Sequence, residues 1–366
     1  MSRTDAASGA GFEAYKARDR FANLDGLRTV CIGAVLWHHA NPLNDSTSPI
    51  FQRGFLGVDF FFVLSGYLIT TLLLREAEST GRISLKNFYM RRFLRIVPVY
   101  FFVVGAVSAY FILVKGQTQY LELVPYYLLF LSNFIEDGIP LLGITWSLSV
   151  EEQYYLLWPL LLILLPWRYI LPFGLFLVFL NVAGIMGLFG SAGHEVGPLT
   201  LKLPNATYAP IIMGSLLAYM LHHRRYYRAL QTALGGRWTA LWGFGLLLIL
   251  MHALPPDLRG LPNLAIHLTM TAILAALILR EDSVGHGFFQ TPLIARIGVV
   301  SYGIYLYHLI ARDIVSRGLS AADITSEWPL FLFYSVLAYL IAEGSFRTLE
   351  AWFRRFRPGY AKPQPG

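Results

Sequence analysis

The chain has 366 residues, of which 55% are hydrophobic and 14% charged, and its mean hydropathy is +0.52. A water-soluble protein of this length carries about 25% charged residues, so the composition excludes an ordinary soluble domain. The net charge of +7 fits the cytoplasmic loops of a membrane protein, and no basic segment is long enough to follow a nucleic-acid backbone. With Cys31 as its single cysteine, the chain lacks a disulfide framework and a thiolate metal cluster. We therefore predict a membrane protein that binds neither nucleic acid nor a metal.

Eleven segments approach the roughly 20 apolar residues that a helix needs to cross a bilayer. In chain order they cover roughly residues 26–42, 54–74, 96–114, 120–135, 148–166, 169–190, 205–221, 238–254, 261–279, 292–314 and 328–346. Basic residues cluster before the first segment, between the second and third, after the seventh and at the C-terminus. If all eleven segments crossed, the basic C-terminus would lie outside, against the positive-inside rule.

The weakest segment, 120–135, is short and includes Glu122, Pro125 and Asn133. We predict that it is a partial or re-entrant element and that residues 115–152 border a cavity, because such backbone is tolerated only where protein or a water-filled cavity surrounds it. Ten spans then place both termini in the cytoplasm and 23 of the 29 basic residues in inside loops. The six basic residues predicted outside are Arg53, Lys115, Lys202, Arg259, Arg312 and Arg317.

The sequence thus predicts an all-α, polytopic transmembrane helical bundle that is surrounded by membrane lipids. Residues 1–24 form a polar cytoplasmic segment without a visible signal peptide, 25–347 the bundle, and 348–366 a basic cytoplasmic tail.

Ionisable side chains within spans are costly and are candidates for a functional site. Arg28 and His39 are eleven residues apart, which places them within about 20° of one helix face and about 16 Å apart along the axis. His38 points about 80° away from Arg28. The alternative is that Arg28 anchors the cytoplasmic end of the helix and that His39 caps its other end at the membrane interface.

Asp59 lies about a turn and a half into the aromatic segment 54–70, and the small residues Ser65 and Gly66 follow. Small residues let another backbone approach closely. A lone carboxylate here must be paired or protonated, and an imidazole is a natural partner. A structural hydrogen bond is the alternative interpretation.

Arg92 and Arg95 are three residues apart on one helix face at the inner boundary. Guanidinium pairs match phosphate oxygens, although basic clusters at such boundaries also anchor to lipid headgroups.

Glu151 and Glu152 open another apolar helix, with Ser149 at the expected N-cap. Capping explains one of these acids but hardly both. Tyr305 and His308 share a face of a later span, where a satisfied structural histidine is the simpler interpretation.

Together these segments resemble the integral-membrane acyltransferase 3 family of bacterial O-acyltransferases. The resemblance covers nearly the whole chain and is carried by LDGLRTVCIGAVLWHH (24–39), GFLGVDFFFVLSGYLI (54–69), NFYMRRFLRIVPVY (87–100), TWSLSVEEQYYLLWPLLL (145–162) and SYGIYLYH (301–308). It implies about ten spans in the bacterial inner (cytoplasmic) membrane. Some members carry a further hydrolase-like domain, which we do not expect here because the sequence ends at Gly366.

The resemblance also implies the substrates and the groups that bind them. The donor is acyl-CoA, most often acetyl-CoA, and the acceptor is a hydroxyl of a surface carbohydrate such as exopolysaccharide, lipopolysaccharide or a lipid-linked sugar. The family's paired-arginine motif falls on Arg92 and Arg95, which would engage the acyl-CoA phosphates, and we place Ser65 with them as a cofactor-binding residue.

The family's arginine–histidine motif falls on Arg28 and His39. As a neutral imidazole, His39 could act as general base on the acceptor hydroxyl. Arg28 could stabilise developing negative charge or hold the cofactor. The acids available to orient His39 are Asp59, Glu151 and Glu152.

Several alternatives remain open at the level of the sequence. An acyl-histidine relay would compete with general-base catalysis, and a secondary metabolite such as a macrolide could replace the carbohydrate. A transporter or flippase would also place polar residues at mid-membrane, and a silent scaffold would need none of this chemistry. The sequence does not predict the oligomeric state.

Overall fold

A computed structural model describes residues 11–43, 48–190, 193–201, 207–356 and 358. Residues 1–10 of the predicted N-terminal segment and residues 357 and 359–366 of the basic tail lie outside these described residues, as does Lys202.

The described chain is built from helices, which agrees with the predicted all-α class. Those of eight or more residues are α1 (Ala22–Ala40), α2 (Leu56–Thr80), α3 (Leu85–Ala109), α4 (Thr145–Leu164), α5 (Trp167–Ile185), α6 (Ala209–Leu221), α7 (Arg224–Leu234), α8 (Thr239–Ala253), α9 (Leu261–Leu279), α10 (Pro292–Val299), α11 (Ser301–Ala321) and α12 (Glu327–Arg347). Shorter helices cover Pro49–Gln52, His286–Gln290 and Leu349–Arg354, and a π-helical turn, Tyr110–Val114, extends α3. Strands β1 (His194–Val196) and β2 (Leu199–Leu201) form one antiparallel hairpin.

Five helical stretches of the described chain are long and apolar enough to cross a membrane: α2, α3 with its π-helical turn, α5, α9, and α12 with its continuation to Arg354. The pairs α7–α8 and α10–α11 also qualify when each is taken as one span, but they bend by 73° and 74°. Helix α6 is apolar but has only 13 residues. Helices α1 and α4 have 19 and 20 residues and carry four of the eight predicted site residues, namely Arg28, His39, Glu151 and Glu152. The count of ten spans and the cytoplasmic termini stay predictions.

The segment predicted to be partial consists of three short turns, the 3₁₀ turn Thr118–Glu122, the helix Val124–Leu128 and the 3₁₀ turn Ser132–Phe134. This agrees with the prediction that residues 120–135 do not form a continuous span. Helix α4 supports the backbone of this segment, since Gln153 Nε2 donates to the Phe130 carbonyl at 2.9 Å. Phe130 itself has a φ of 55°, which interrupts helical backbone.

Two local predictions for the spans are wrong. Helix α4 begins at Thr145 rather than near Ser149, so Ser149 is not its N-cap; the Ser149 Oγ lies 2.8 Å from Ser132 Oγ instead. The predicted span 292–314 is divided at Val300, and its first part, α10, packs against α1. The contact is close, because a Cβ on Gly298 would lie 1.7 Å from the Asp25 carbonyl oxygen.

The predicted close approach at Ser65–Gly66 is confirmed in the packing of α2 against α6. A Cβ on Gly66 would lie 1.9 Å from the Ile211 carbonyl oxygen, and one on Gly214 would lie 2.0 Å from the Val63 carbonyl oxygen. The two backbones therefore touch where side chains would otherwise separate them.

Arg53, predicted to lie in an outside loop, is only 3% exposed. Its guanidinium donates to the carbonyl oxygens of Met251, Leu254 and Pro255 at 2.7 to 2.8 Å. These carbonyls end α8, so Arg53 caps that helix where backbone acceptors lack helical partners.

Candidate active site

A cavity of about 180 Å³ lies between α1, α2, α3, α4 and α11. Five of the eight predicted site residues line it, namely Arg28, Ser65, Arg92, Arg95 and Glu151. The remaining polar lining consists of hydroxyl groups, and α2 supplies most of the apolar wall. The structure therefore brings together residues from four separate sequence motifs.

The cavity has two chemically different ends, which α4 connects. Near one end, Ser147 Oγ lies 2.6 Å from the Tyr305 hydroxyl. At the other, the Tyr155 ring centroid lies 5.3 Å from the Arg92 guanidinium carbon. Ser147 and Tyr155 are eight residues apart on one helix, which corresponds to about 12 Å along its axis. We call the Arg92 side the arginine end and the Tyr305 side the tyrosine end.

Positive charge dominates the cavity wall, where three arginines stand against one acid, Glu151. Arg28 is held by Asp25, one turn earlier on α1, with Nη1 2.6 Å from Oδ1. Arg20 also binds the Asp25 carboxylate. Guanidinium groups in such an environment suit phosphate oxygens.

The adjacent acids Glu151 and Glu152 have different surroundings. Glu151 lines the cavity, where the hydroxyls of Ser65 and Tyr155 lie against its carboxyl group. Glu152 does not line the cavity, and its Oε1 is buried without a hydrogen-bond partner in the described part of the chain. The two acids were equivalent candidates in the sequence, but only Glu151 faces the space that a substrate could occupy.

His39 lies outside the cavity lining and contacts another imidazole. Its ring centroid is 4.8 Å from that of His308, with the two planes tilted by 52°. His38 packs instead against Phe55, at 5.6 Å, which agrees with the prediction that the two neighbouring histidines point in different directions. We call His39 and His308 the histidine pair.

His308 connects the histidine pair to the tyrosine end of the cavity. Its ring centroid lies 5.6 Å from that of Tyr305, and its Nδ1 lies 2.6 Å from the Tyr305 carbonyl oxygen. A carbonyl only accepts hydrogen bonds, so Nδ1 carries the hydrogen and Nε2 keeps a lone pair. That Nε2 is buried without a partner among the described residues. The interpretation of His308 as a satisfied structural histidine therefore holds for Nδ1 but not for Nε2.

Asp59 does pair with an imidazole, but the partner is His267 on α9. Its Oδ2 lies 3.1 Å from His267 Nε2, and His267 is 1% exposed. The predicted orientation of His39 by a carboxylate is not what the structure shows: no described contact of His39 involves Asp59, Glu151 or Glu152. Asp59 lies in the first turn of α2, on a side that packs against α9. Sequence reasoning missed His267, although an ionisable residue within an apolar span was the available signal.

Comparison with known proteins covers all of these residues. The acyltransferase 3 family model, described as an acyltransferase domain, matches residues 21–342. Peptidoglycan O-acetyltransferase OatA of Listeria monocytogenes is 30% identical over 367 residues, 93% of this chain and 56% of that protein. O-acetyltransferase OatA of Staphylococcus aureus is 26% identical over 354 residues, 91% of this chain and 57% of that protein.

The chain spans about three-fifths of the length of the curated relatives that it matches. No solved structure matches it. The family match nevertheless includes the arginines, the cavity and the histidine pair, and the chain belongs to the acyltransferase 3 family.

Proposed function

We propose that the protein is a multi-pass O-acetyltransferase of the bacterial cytoplasmic membrane. It moves an acetyl group from cytoplasmic acetyl-CoA to a hydroxyl of a cell-surface carbohydrate. One observation carries the proposal: a single cavity runs from three arginines to a tyrosine that contacts the histidine pair. Two relatives are named for O-acetyl transfer, one of them on peptidoglycan, which supports a carbohydrate acceptor.

The cavity suits the shape and charge of acetyl-CoA. Its volume of about 180 Å³ and its length of about 12 Å suit part of the narrow pantetheine arm, whereas the nucleotide stays outside at the arginine end. Arg92 and Arg95 bind phosphate oxygens there, and Ser65 lies along the path of the arm. The apolar wall includes Leu68 and Leu72, which fits the methylene groups of the arm.

His39 acts as the general base on the acceptor hydroxyl. The His308 ring packs against the His39 ring, at a centroid distance of 4.8 Å, and holds it in place. A neutral His39 keeps one ring nitrogen with a lone pair, which is free to take a proton. His308 thus fills the orienting role that the sequence suggested for a carboxylate. General-base catalysis of this kind contributes about 10² to 10⁴ in rate.

The test is release of CoA by the purified full chain in lipid nanodiscs. Acetyl-CoA is the donor, and chitotetraose, a soluble and uncharged oligosaccharide, is the acceptor probe. We expect acceptor-dependent CoA release, which a transporter or a scaffold does not produce. A wild-type protein that binds acetyl-CoA but releases no CoA contradicts the proposal.

The same assay tests the base. His39→Ala should abolish CoA release while the dissociation constant for acetyl-CoA stays within twofold, roughly the scatter of surface substitutions, because the phosphates bind at the arginine end. His252→Ala, which removes an exposed histidine from the end of α8, is the control and should leave the rate unchanged. Acetyl transfer by His39→Ala at the wild-type rate would refute the assignment of His39.

A further inference from the structure

Arg312 projects from α11 beside the histidine pair. We expected it in an outside loop, but α11 continues to Ala321. Arg312 is four residues after His308, so the two side chains are neighbours on one helix face. The Arg312 guanidinium is also close enough to interact electrostatically with both His39 and His308.

Arg312 has no acidic partner among the described residues. Within the described ranges no carboxylate forms an ion pair with it, and the adjacent Asp313 binds Arg317 at 2.9 Å instead. The Arg312 Nε is buried and has no hydrogen-bond partner there. A buried donor without an acceptor is costly, so this N–H is available to a group other than the described residues, such as a substrate.

The reaction at His39 requires such a donor, and Arg28 is badly placed to be one. Arg28 is bound to Asp25 and lies eleven residues from His39, or about 16 Å along α1. An oxyanion donor must lie 2.7–3.1 Å from the oxygen that becomes charged. Arg28 therefore cannot bind the carbonyl oxygen of a thioester that reacts beside His39. Arg312, by contrast, lies next to the histidine pair.

We propose that Arg312 donates a hydrogen bond to the thioester carbonyl oxygen and stabilises the oxyanion that forms on it. This inference rests on the proposed function. The acceptor oxygen bonds to the carbonyl carbon, its proton passes to His39, and the carbonyl π electrons move to the oxygen beside Arg312. When the carbonyl re-forms, the carbon–sulfur bond breaks, and the CoA sulfur takes the proton from His39.

The test uses Arg312→Gln and Arg312→Lys in the nanodisc assay with acetyl-CoA and chitotetraose. For Arg312→Gln we expect kcat to fall by about 10² to 10³, as on removal of an oxyanion donor elsewhere. Arg312→Lys should fall by about tenfold, because an ammonium group does not reproduce the guanidinium geometry. The dissociation constant for acetyl-CoA should be unchanged in both variants, which also shows that they are folded.

The matched control is Arg317→Gln, which removes an exposed arginine of the same helix that binds Asp313 and the Tyr110 hydroxyl. It should retain the wild-type kcat. An unchanged kcat in Arg312→Gln overturns the proposal. The assay is repeated with an acidic oligosaccharide in place of chitotetraose. A defect that appears only there, as a higher KM, also overturns the proposal, because Arg312 would then bind an anionic group of the acceptor.

If Arg312→Gln does not fold, Arg312→Lys decides, and a wild-type kcat in that variant overturns the role. Absence of CoA release by the wild-type protein contradicts the proposed function, and this inference with it. Activity of the wild type together with unaffected Arg312 variants contradicts the Arg312 role alone.

Discussion

Arg92 is held in place by aromatic rings as well as by charge. Its guanidinium carbon lies 5.3 Å from the Tyr155 ring centroid and 6.0 Å from that of Phe88. Stacking of this kind fixes the plane of a guanidinium group. Arg95 follows one turn later on α3 and lines the same cavity. The two side chains therefore present an oriented pair of donors at the arginine end.

The double variant Arg92→Ala/Arg95→Ala should weaken acetyl-CoA binding by at least tenfold. Charge-assisted hydrogen bonds contribute about 1.5–3 kcal/mol each, and tenfold corresponds to about 1.4 kcal/mol. Titration calorimetry on the nanodisc protein measures the dissociation constant. Arg82→Ala/Lys86→Ala removes the same charge from exposed positions nearby and should bind normally. Equal affinity in the arginine variant and the control would remove the phosphate role.

Five residues that line the cavity were predicted from the sequence, but the pairing of the ionisable side chains was not. Helical spacing gives the side of its own helix on which a residue lies, and the cost of charge in lipid singles out Asp59, Glu151 and His39. Neither argument specifies which helix packs against that side. Asp59 meets His267 across 208 residues, and His39 meets His308 on α11. These contacts depend on the tertiary packing, which a single sequence does not reveal.

At the scale of the helices, the backbone contact between α2 and α6 positions one wall of the cavity. Gly66 and Gly214 permit the contact from opposite sides, and Ser215 Oγ donates to the Gly66 carbonyl at 2.9 Å. Ser65, next to Gly66, lines the cavity. A change in the spacing of the two helices therefore moves the wall that carries Ser65.

Gly66→Val should destabilise the bundle, because its side chain would overlap the Ile211 backbone. Overpacking of this kind typically costs about 1–3 kcal/mol. Cys31 is the single cysteine and is 1% exposed, so a thiol-reactive dye reports thermal unfolding. Gly105→Val is the control, because a Cβ there meets nothing within 4 Å. A melting temperature for Gly66→Val equal to that of Gly105→Val would show that the helices separate without cost.

The breaks in the helices were only partly predictable. Residues 120–135 contain polar side chains that disfavour a span, and the three short turns agree with that. The bend at Val300 had no comparable signal, since residues 292–314 are apolar enough for one helix. Its geometry reflects the contact of Gly298 with Asp25 on α1, which is not encoded by local propensity.

At the scale of the whole molecule, the proposed reaction needs its two substrates to arrive from opposite faces of the membrane. The predicted orientation places the loop at Lys86 inside and the loop at Arg259 outside, following the positive-inside rule. The arginine end then faces the cytoplasm, where acetyl-CoA is made. In the proposed reaction, the histidine pair then lies towards the face that carries the carbohydrate.

Single cysteines in a Cys31→Ser background test this orientation. Arg259→Cys should react with a membrane-impermeant maleimide on intact cells, whereas Lys86→Cys should react only after permeabilisation. Both positions are exposed, so a difference in labelling between them reports the side of the membrane on which each one lies. The reverse labelling pattern would show that the bundle has the opposite orientation. It would contradict the proposal that acetyl-CoA reaches the arginine end from the cytoplasm.

One rigid helix, α1, carries both Arg28 and His39. Their separation, about 16 Å along the axis, cannot change without breaking the helix, so α1 fixes the distance between the two side chains along the axis. In the proposed reaction, a donor must be long enough to reach the histidine while its phosphates stay with the guanidinium groups. The proposed mechanism therefore selects the thioester by the length of its carrier arm rather than by recognition of the small acyl group.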